Sequence, residues 1–134
     1  MNPKPKKKRK STMPRLKVRA WDALSKWIRI KAADPSGIVL CVTCGSKHFW
    51  KDIQGGHYIH GHSKPTYMVE MNVHSQCVRC NHHLSGNLQK YQEFMLKTYG
   101  AEKVEDLRQL SHKIYKPTRD ELEALIEKYK IEEI

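Results

Sequence analysis

The sequence predicts an α+β fold: a small core of short strands stapled by one zinc ion, with flanking helices. Three observations predict it. All four cysteines fall into two C-x-x-C pairs, Cys41/Cys44 and Cys77/Cys80. The stretch between them is punctuated by glycine turns and short extended runs. Apolar residues at helical spacing recur before and after it. The parts expected in order are a basic arm (1–13), an N-terminal helix (14–37), a zinc-stapled core (38–100) and a helical extension (101–134).

The cysteine pattern carries most weight. Two thiolates at C-x-x-C spacing can hold one metal ion from a tight turn, and two such pairs complete a tetrahedral four-cysteine zinc site. The competing reading is two disulfides or four free thiols. No secretory apolar segment is visible at the N-terminus, so an oxidising compartment is not expected. No run approaches the roughly 20 apolar residues of a membrane span, so no membrane partner is expected. The gap from Cys44 to Cys77 exceeds ordinary zinc-ribbon spacing, and six of the eight histidines lie between Gly55 and Asn87.

Charge is distributed unevenly. The formal net charge is +11, and residues 1–31 hold twelve Lys/Arg against one acid, Asp22. The rest of the chain is balanced, so the whole excess sits in the N-terminal quarter. Such a block suits a polyanion, and nucleic acid is the expected partner because neutralised phosphates release counterions. Lys6, Lys7, Lys8, Arg9 and Lys10 form the densest run, read as a DNA-binding arm; a nuclear-import signal and a solubilising tail are the rivals. Lys26 and Arg29, beside the apolar stripe of the first helix, and Lys64 and Arg79 further on are further candidate phosphate contacts.

Taken in order, Pro14 to Ala33 reads as a helix, with Trp21, Leu24, Trp27 and Ile28 on one stripe and Pro35 and Gly37 beyond its end. Ile38-Val39-Leu40 leads into the first knuckle. A second strand is expected over about His48 to Ile53, a turn at Gln54-Gly55-Gly56, and a third strand from His57 to Ile59. Gly61 to Thr66 reads as a loop and Tyr67-Met68-Val69 as a short extended piece. A helix begins near Cys77 and pauses at Ser85-Gly86. Asn87 to Tyr99 and Glu102 to Tyr115 read as helices, the first ending at Gly100. Thr118-Arg119-Asp120-Glu121 is a capping box that opens the last helix. These C-terminal helices read as packing elements or a dimerisation surface.

The histidine-rich segment carries the chemistry. Cutting a phosphodiester needs a base to activate water and a cation to stabilise the leaving oxygen. His57 follows a glycine pair at a strand start, and Asn81 follows the last thiolate. Zinc joining the knuckles would hold one against the other. Neutral imidazole suits a base near neutral pH, and an amide oxygen with retained waters suits Mg²⁺. The bland rivals are a backbone-bonded turn histidine and a helix-capping asparagine.

A strand histidine, a mid-loop asparagine and an asparagine after C-x-x-C resemble the HNH (ββα-metal) endonucleases with a four-cysteine zinc. More closely, Gly56-His57-Tyr58-Ile59, Asn72-x-His74-x-Gln76-Cys77-x-x-Cys80-Asn81, Leu84-Ser85-Gly86-Asn87 and Tyr91 resemble the NinG (Rap) recombination proteins of lambdoid phages. The four-cysteine arrangement is also similar to the phage endonuclease VII junction resolvases. The resemblance implies a ββα-metal, HNH-like core and a phage-encoded nuclease, at work in the cytoplasm of the bacterial host. It would act on branched DNA such as Holliday junctions and D-loops. It implies His57 as general base, Asn81 as a metal ligand, Asn72 as the loop brace that orients the histidine, and Cys41, Cys44, Cys77 and Cys80 as zinc ligands. The catalytic ion would be Mg²⁺ or Mn²⁺. Many HNH sites carry an Asp just before the base, where this chain has Gly56. The second ligand then comes from elsewhere, with His60, His74, His82, His83, Asn87 and His57 itself as candidates. Two coordinated cuts at a junction make a homodimer the expected assembly. The competing functions are a sequence-specific homing or restriction HNH enzyme, a non-enzymatic zinc DNA-binding module, and a zinc-stapled protein-interaction scaffold.

Overall fold

The first helix, α1, spans Met13–Ala32 and begins where the sequence supplies both start signals. The Thr12 hydroxyl accepts from the Arg15 amide, and Pro14 occupies the first turn, where a missing N–H costs nothing. The structure, a computed structural model, describes residues 10–131. The basic arm at Lys6, Lys7, Lys8 and Arg9 therefore lies outside the described residues, and Lys10 is exposed. Leu16, Ala20 and Leu24 form the fully buried stripe of α1, while Trp21, Trp27 and Ile28 pack partly buried beside it.

Two small antiparallel sheets follow. Strand β1 (Ile38–Leu40) pairs with β2 (Lys47–Phe49), and the first cysteine knuckle is the connection between them. Strand β3 (Gln54–His57) pairs with β4 (Val73–Gln76), with Gly56 opposite His74 and His57 opposite Val73. Two expectations are corrected here. The β2 strand stops at Phe49, because the chain turns and the Asp52 amide donates back to the Phe49 carbonyl. Gln54-Gly55-Gly56 is strand, not turn. Both glycines are buried, and a methyl group on Gly55 would meet Ser25 and Trp21 of α1, while one on Gly56 would collide with the Gln76 side chain. The glycines admit close neighbours on both faces of the strand; they do not bend it.

The connection from β3 to β4 is also more ordered than expected. Pro65–Met68 and Glu70–Asn72 each form a 3₁₀ turn, so Tyr67 and Met68 are not extended. Pro65 sits in the first turn, the one place a helix accepts it. The second knuckle runs into a π-type turn at Arg79–His83, then α2 (Leu88–Tyr99), α3 (Ala101–Ser111) and α4 (Arg119–Lys128). Gly100 separates α2 from α3 at φ 87°, a left-handed angle that favours glycine. The Thr118 hydroxyl accepts from the Glu121 amide at the start of α4.

Three apolar clusters hold these pieces. Leu16, Ala20 and Leu24 of α1 pack with Met68, Val73, Leu122 and Tyr129, so α4 lies along α1. Burying Leu122, which is 0 % exposed, contributes roughly 2 kcal/mol. Val39 and Ile53 pack around Cys41, Cys77 and Cys80. Tyr58, Tyr91, Met95, Val104 and Leu107 join the loop after β3 to α2 and α3. Among the described residues, no helix is long and apolar enough to cross a membrane.

Candidate active-site cleft and metal centre

The four cysteines come together although the pairs are far apart in sequence. The Sγ atoms of Cys41, Cys44, Cys77 and Cys80 all lie within 4.8 Å of one another. Cys44 and Cys77 are 3.7 Å apart, close to the edge of a tetrahedron with metal–sulfur bonds of about 2.3 Å. This set can hold one tetrahedral metal ion. The first knuckle turns because Gly45 adopts φ 77° and donates to the Cys41 carbonyl. Polar groups face the sulfurs as they would thiolates: Thr43 Oγ1 lies 3.2 Å from Cys41, Ser46 Oγ 3.1 Å from Cys44, and Asn87 Nδ2 donates to Cys80 at 3.6 Å. The Gln76 amide donates to Thr43 Oγ1, which ties the first knuckle to β4.

Beside this centre a cleft of about 590 Å³ opens between α1 and β3. His57 lines it, at the end of β3, and its ring stacks on both Trp21 (centroids 4.4 Å apart) and Tyr67 (4.5 Å), which themselves lie 5.2 Å apart, so the three rings form one cluster. His57 Nε2 lies 2.7 Å from the Tyr67 carbonyl oxygen. A carbonyl only accepts, so Nε2 carries the proton and Nδ1 keeps its lone pair. Burial pushes the His57 pKa down to about 4, with His60 and His62 adding like-charge repulsion, so the ring is neutral at physiological pH.

Asn72 is fully buried and braces the loop that follows His57. Its amide oxygen accepts from the Ile59 amide, and its nitrogen donates to the carbonyls of Ile59 and Thr66. It touches the 3₁₀ turn that supplies Tyr67, and so acts on His57 through the backbone. Asn81 also lines the cleft, with Nδ2 donating to Gln54 Oε1 at 2.9 Å and its own amide bonded to the Cys77 carbonyl. The knuckle thus places Asn81 against the strand that bears His57.

The candidates for a second cation ligand separate. His60 lines the cleft, with Nε2 3.1 Å from the His57 carbonyl. His74 does not reach it. That residue sits on the other face of the hairpin, with Nδ1 2.9 Å from the Tyr91 hydroxyl and Nε2 2.6 Å from that of Tyr99. Tyr91 in turn donates to the Gly56 carbonyl, so both His74 nitrogens are spent in a buried relay. Asn87 donates Nδ2 to the Cys80 sulfur and does not line the cleft. His82 and His83 are exposed, pack against each other at 5.4 Å, and do not line the cleft. Gly56 has no room for the Asp common in HNH sites, because the Gln76 side chain fills that space.

Of the candidate phosphate contacts, Arg29 lines the cleft, Lys26 lies 5.9 Å from the Trp50 ring and does not line the cleft, Lys64 packs its stem against Gly61, and Arg79 is exposed. Four cleft residues escaped the reading of the sequence: Trp21, taken as core, together with His62, Tyr67 and Lys51. The His62 ring packs on Tyr67 at 4.7 Å. No spacing signal marked these residues, because they meet only when α1 lies across the hairpin.

No carboxylate among the described residues lines the cleft. Among the described residues, the four cysteines are the one group of three or more His, Cys, Asp or Glu side chains within ligating reach of a shared ion. The cleft therefore offers amide oxygen and imidazole nitrogen. Those are candidate ligand atoms without the carboxylate by which proteins usually hold Mg²⁺.

Comparison with known proteins gives one family. The family model described as "Bacteriophage Lambda NinG protein" matches residues 3–133. The chain is 31 % identical over 113 residues to Protein ninG of Salmonella phage P22, 32 % to that of Escherichia phage 933W and 31 % to that of Escherichia phage lambda. Each of these alignments covers 82 % of this chain and 52 % of the relative, so the chain spans about half the length of the curated relatives it matches. No solved structure matches.

Proposed function

The chain belongs to the NinG family of bacteriophage proteins, and we propose that it is a metal-dependent DNA endonuclease with a zinc-stapled, HNH-like core that cuts branched recombination intermediates. The observation that carries the proposal is His57: neutral, fixed in one tautomer by the Tyr67 carbonyl, and lining an open cleft with Asn81 and basic side chains. The branched substrate rests on the family resemblance of the His57, Asn72 and Asn81 motif; the geometry supports the chemistry.

In this reading Nδ1 of His57 takes the proton of the attacking water. Nε2–H stays bonded to Tyr67, which holds the ring plane and lets charge form on the ring without a change of tautomer. A bound phosphate raises the low pKa of His57, because the anion favours the protonated ring. Asn81 Oδ1 and His60, which both line the cleft, would hold a catalytic Mg²⁺ or Mn²⁺, whose chemistry would be stabilisation of the leaving oxygen. Arg29, with Lys26 and Lys51 beside it, would accompany the phosphate backbone. The four thiolates would hold structural Zn²⁺ and keep the Asn81 turn against β3.

The test is cleavage of labelled four-way junction, D-loop and linear duplex DNA with Mg²⁺, Mn²⁺ or no added divalent ion, wild type beside His57→Ala. The expected result is metal-dependent cutting of branched DNA that falls by about 10²–10⁴-fold in His57→Ala. Equal cutting of linear duplex at a defined site would support a sequence-specific enzyme instead. A second reading is a zinc DNA-binding module without catalysis, in keeping with a cleft whose described lining offers imidazole, amide and basic groups. Binding without cutting in every metal would establish it.

A further inference from the structure

Helix α1 runs antiparallel to β3 along the whole cleft. Trp21 stacks on His57, Ser25 meets Gly55, and Arg29 donates to the Ile53 carbonyl. Trp21 and Arg29 are eight residues apart, which places them about 12 Å apart along the helix axis. The end of the cleft away from His57 is therefore built from the second half of α1 and the turn after β2.

That end gathers positive charge around one indole. Lys26 Nζ, the Arg29 guanidinium and Lys51 Nζ lie 5.9, 5.8 and 5.4 Å from the Trp50 ring centroid. Arg29 is held rigidly, with Nε on the Ser25 carbonyl and Nη1 on those of Trp50 and Ile53. Burial lowers its pKa against the pull of Asp22, one of the acids near this cluster, with Asp52 the next residue after Lys51. Three cations within about 6 Å of one ring make a positive face that suits an anion. Arg29 and Lys51 also line the cleft, so an anion held there is continuous with whatever occupies the His57 end.

We propose that Lys26, Arg29 and Lys51 around Trp50 form a subsite for a backbone phosphate other than the one at His57, about 12 Å further along α1. The subsite makes α1 the guide that sets strand direction through the cleft. It rests on the reading of the cleft as a DNA site, and not on cleavage taking place there.

The test is binding of a labelled duplex by fluorescence anisotropy, without added divalent ions, across a range of salt. It compares wild type, Lys26→Gln/Lys51→Gln, Lys51→Gln alone, and a control, Lys97→Gln/Lys103→Gln, at exposed positions on α2 and α3. Each phosphate contact contributes about −0.9 to the slope of log K against log salt. Loss of this one contact should flatten the slope by about 1 in the cleft double variant and by less in Lys51→Gln, with little change in the control. In a scan of single neutral methylphosphonate linkages, one position should weaken wild type and leave the double variant unaffected. An unchanged slope, an equal change in the control, or no such position overturns the subsite while leaving the nuclease reading standing. Failure of wild type to bind DNA overturns both.

Discussion

His74 makes the fold sensitive to acid in a way that can be isolated. Burial pushes its pKa from 6.5 down to about 4, and both ring nitrogens are bonded to tyrosine hydroxyls. The folded state holds the ring neutral, while the unfolded chain protonates it near its ordinary pKa. Between those two values the unfolded state binds more protons, so stability rises with pH there. It is fully present above about 6.5 and is lost as pH falls toward about 4. At pH 5 the linkage amounts to about 2 kcal/mol for this one residue. His57 has the same direction and adds its own share. His74→Gln keeps a donor and an acceptor but cannot titrate. Urea unfolding of wild type and His74→Gln, with zinc in excess at pH 7 and pH 5, measures the difference. Acid sensitivity of the thiolates is common to both chains and cancels. The loss of stability between the two pH values should be smaller in the variant by about 2 kcal/mol, whatever its absolute stability. An equal loss in both chains would refute the buried-neutral assignment.

Cys77→Ser should unfold the domain or lower its melting temperature sharply, and chelation of the wild type should do the same, because metal held by four thiolates is folding free energy; unchanged melting on metal removal, followed by circular dichroism, would exclude a structural ion. Gly56→Asp should not restore an HNH-type ligand. It should cost about 3 kcal/mol or more, since the carboxylate would press into buried Gln76, and a stable, more active variant would contradict that packing. Trp21→Ala should open His57 to water and raise its pKa toward the ordinary value of 6.5, read by NMR titration; a pKa still near 4 would show that Trp21 is not what buries the ring.

Several parts of this fold were legible in the chain because they obey local rules. The C-x-x-C pairs announced the metal centre, Thr118 and Glu121 announced α4, and the apolar stripe of α1 announced its buried side. The glycines of β3 misled, since propensity treats Gly-Gly as a turn, whereas here it makes room for Ser25 on one face and Gln76 on the other. The choice among candidate ligands was also out of reach. His60 and His74 look alike in sequence, but His74 lies within β4 and faces Tyr91 and Tyr99, whereas His60 lies beyond the end of β3 and bonds the His57 carbonyl. Asn87 follows the second knuckle much as Asn81 does, yet its backbone at φ 47° turns the amide onto a sulfur. The cleft as a whole needs α1 laid against the hairpin, and no spacing rule encodes that contact.

The packing of α4 on α1 also bears on when the cleft can exist. The wall that carries Trp21, Ser25 and Arg29 belongs to the first helix, and the cluster behind it is completed by Leu122 and Tyr129, near the other end of the described chain. The Arg119 guanidinium bonds the Ser11 carbonyl across the same seam. Contacts of such long sequence separation close late in folding. During synthesis the knuckles and hairpin can assemble first, while α1 keeps an uncovered apolar face until α4 has left the ribosome. An unfinished chain would then present a metal centre without a seated cleft wall. Emergence of α4, rather than metal loading, would be the step that brings the His57 site into register.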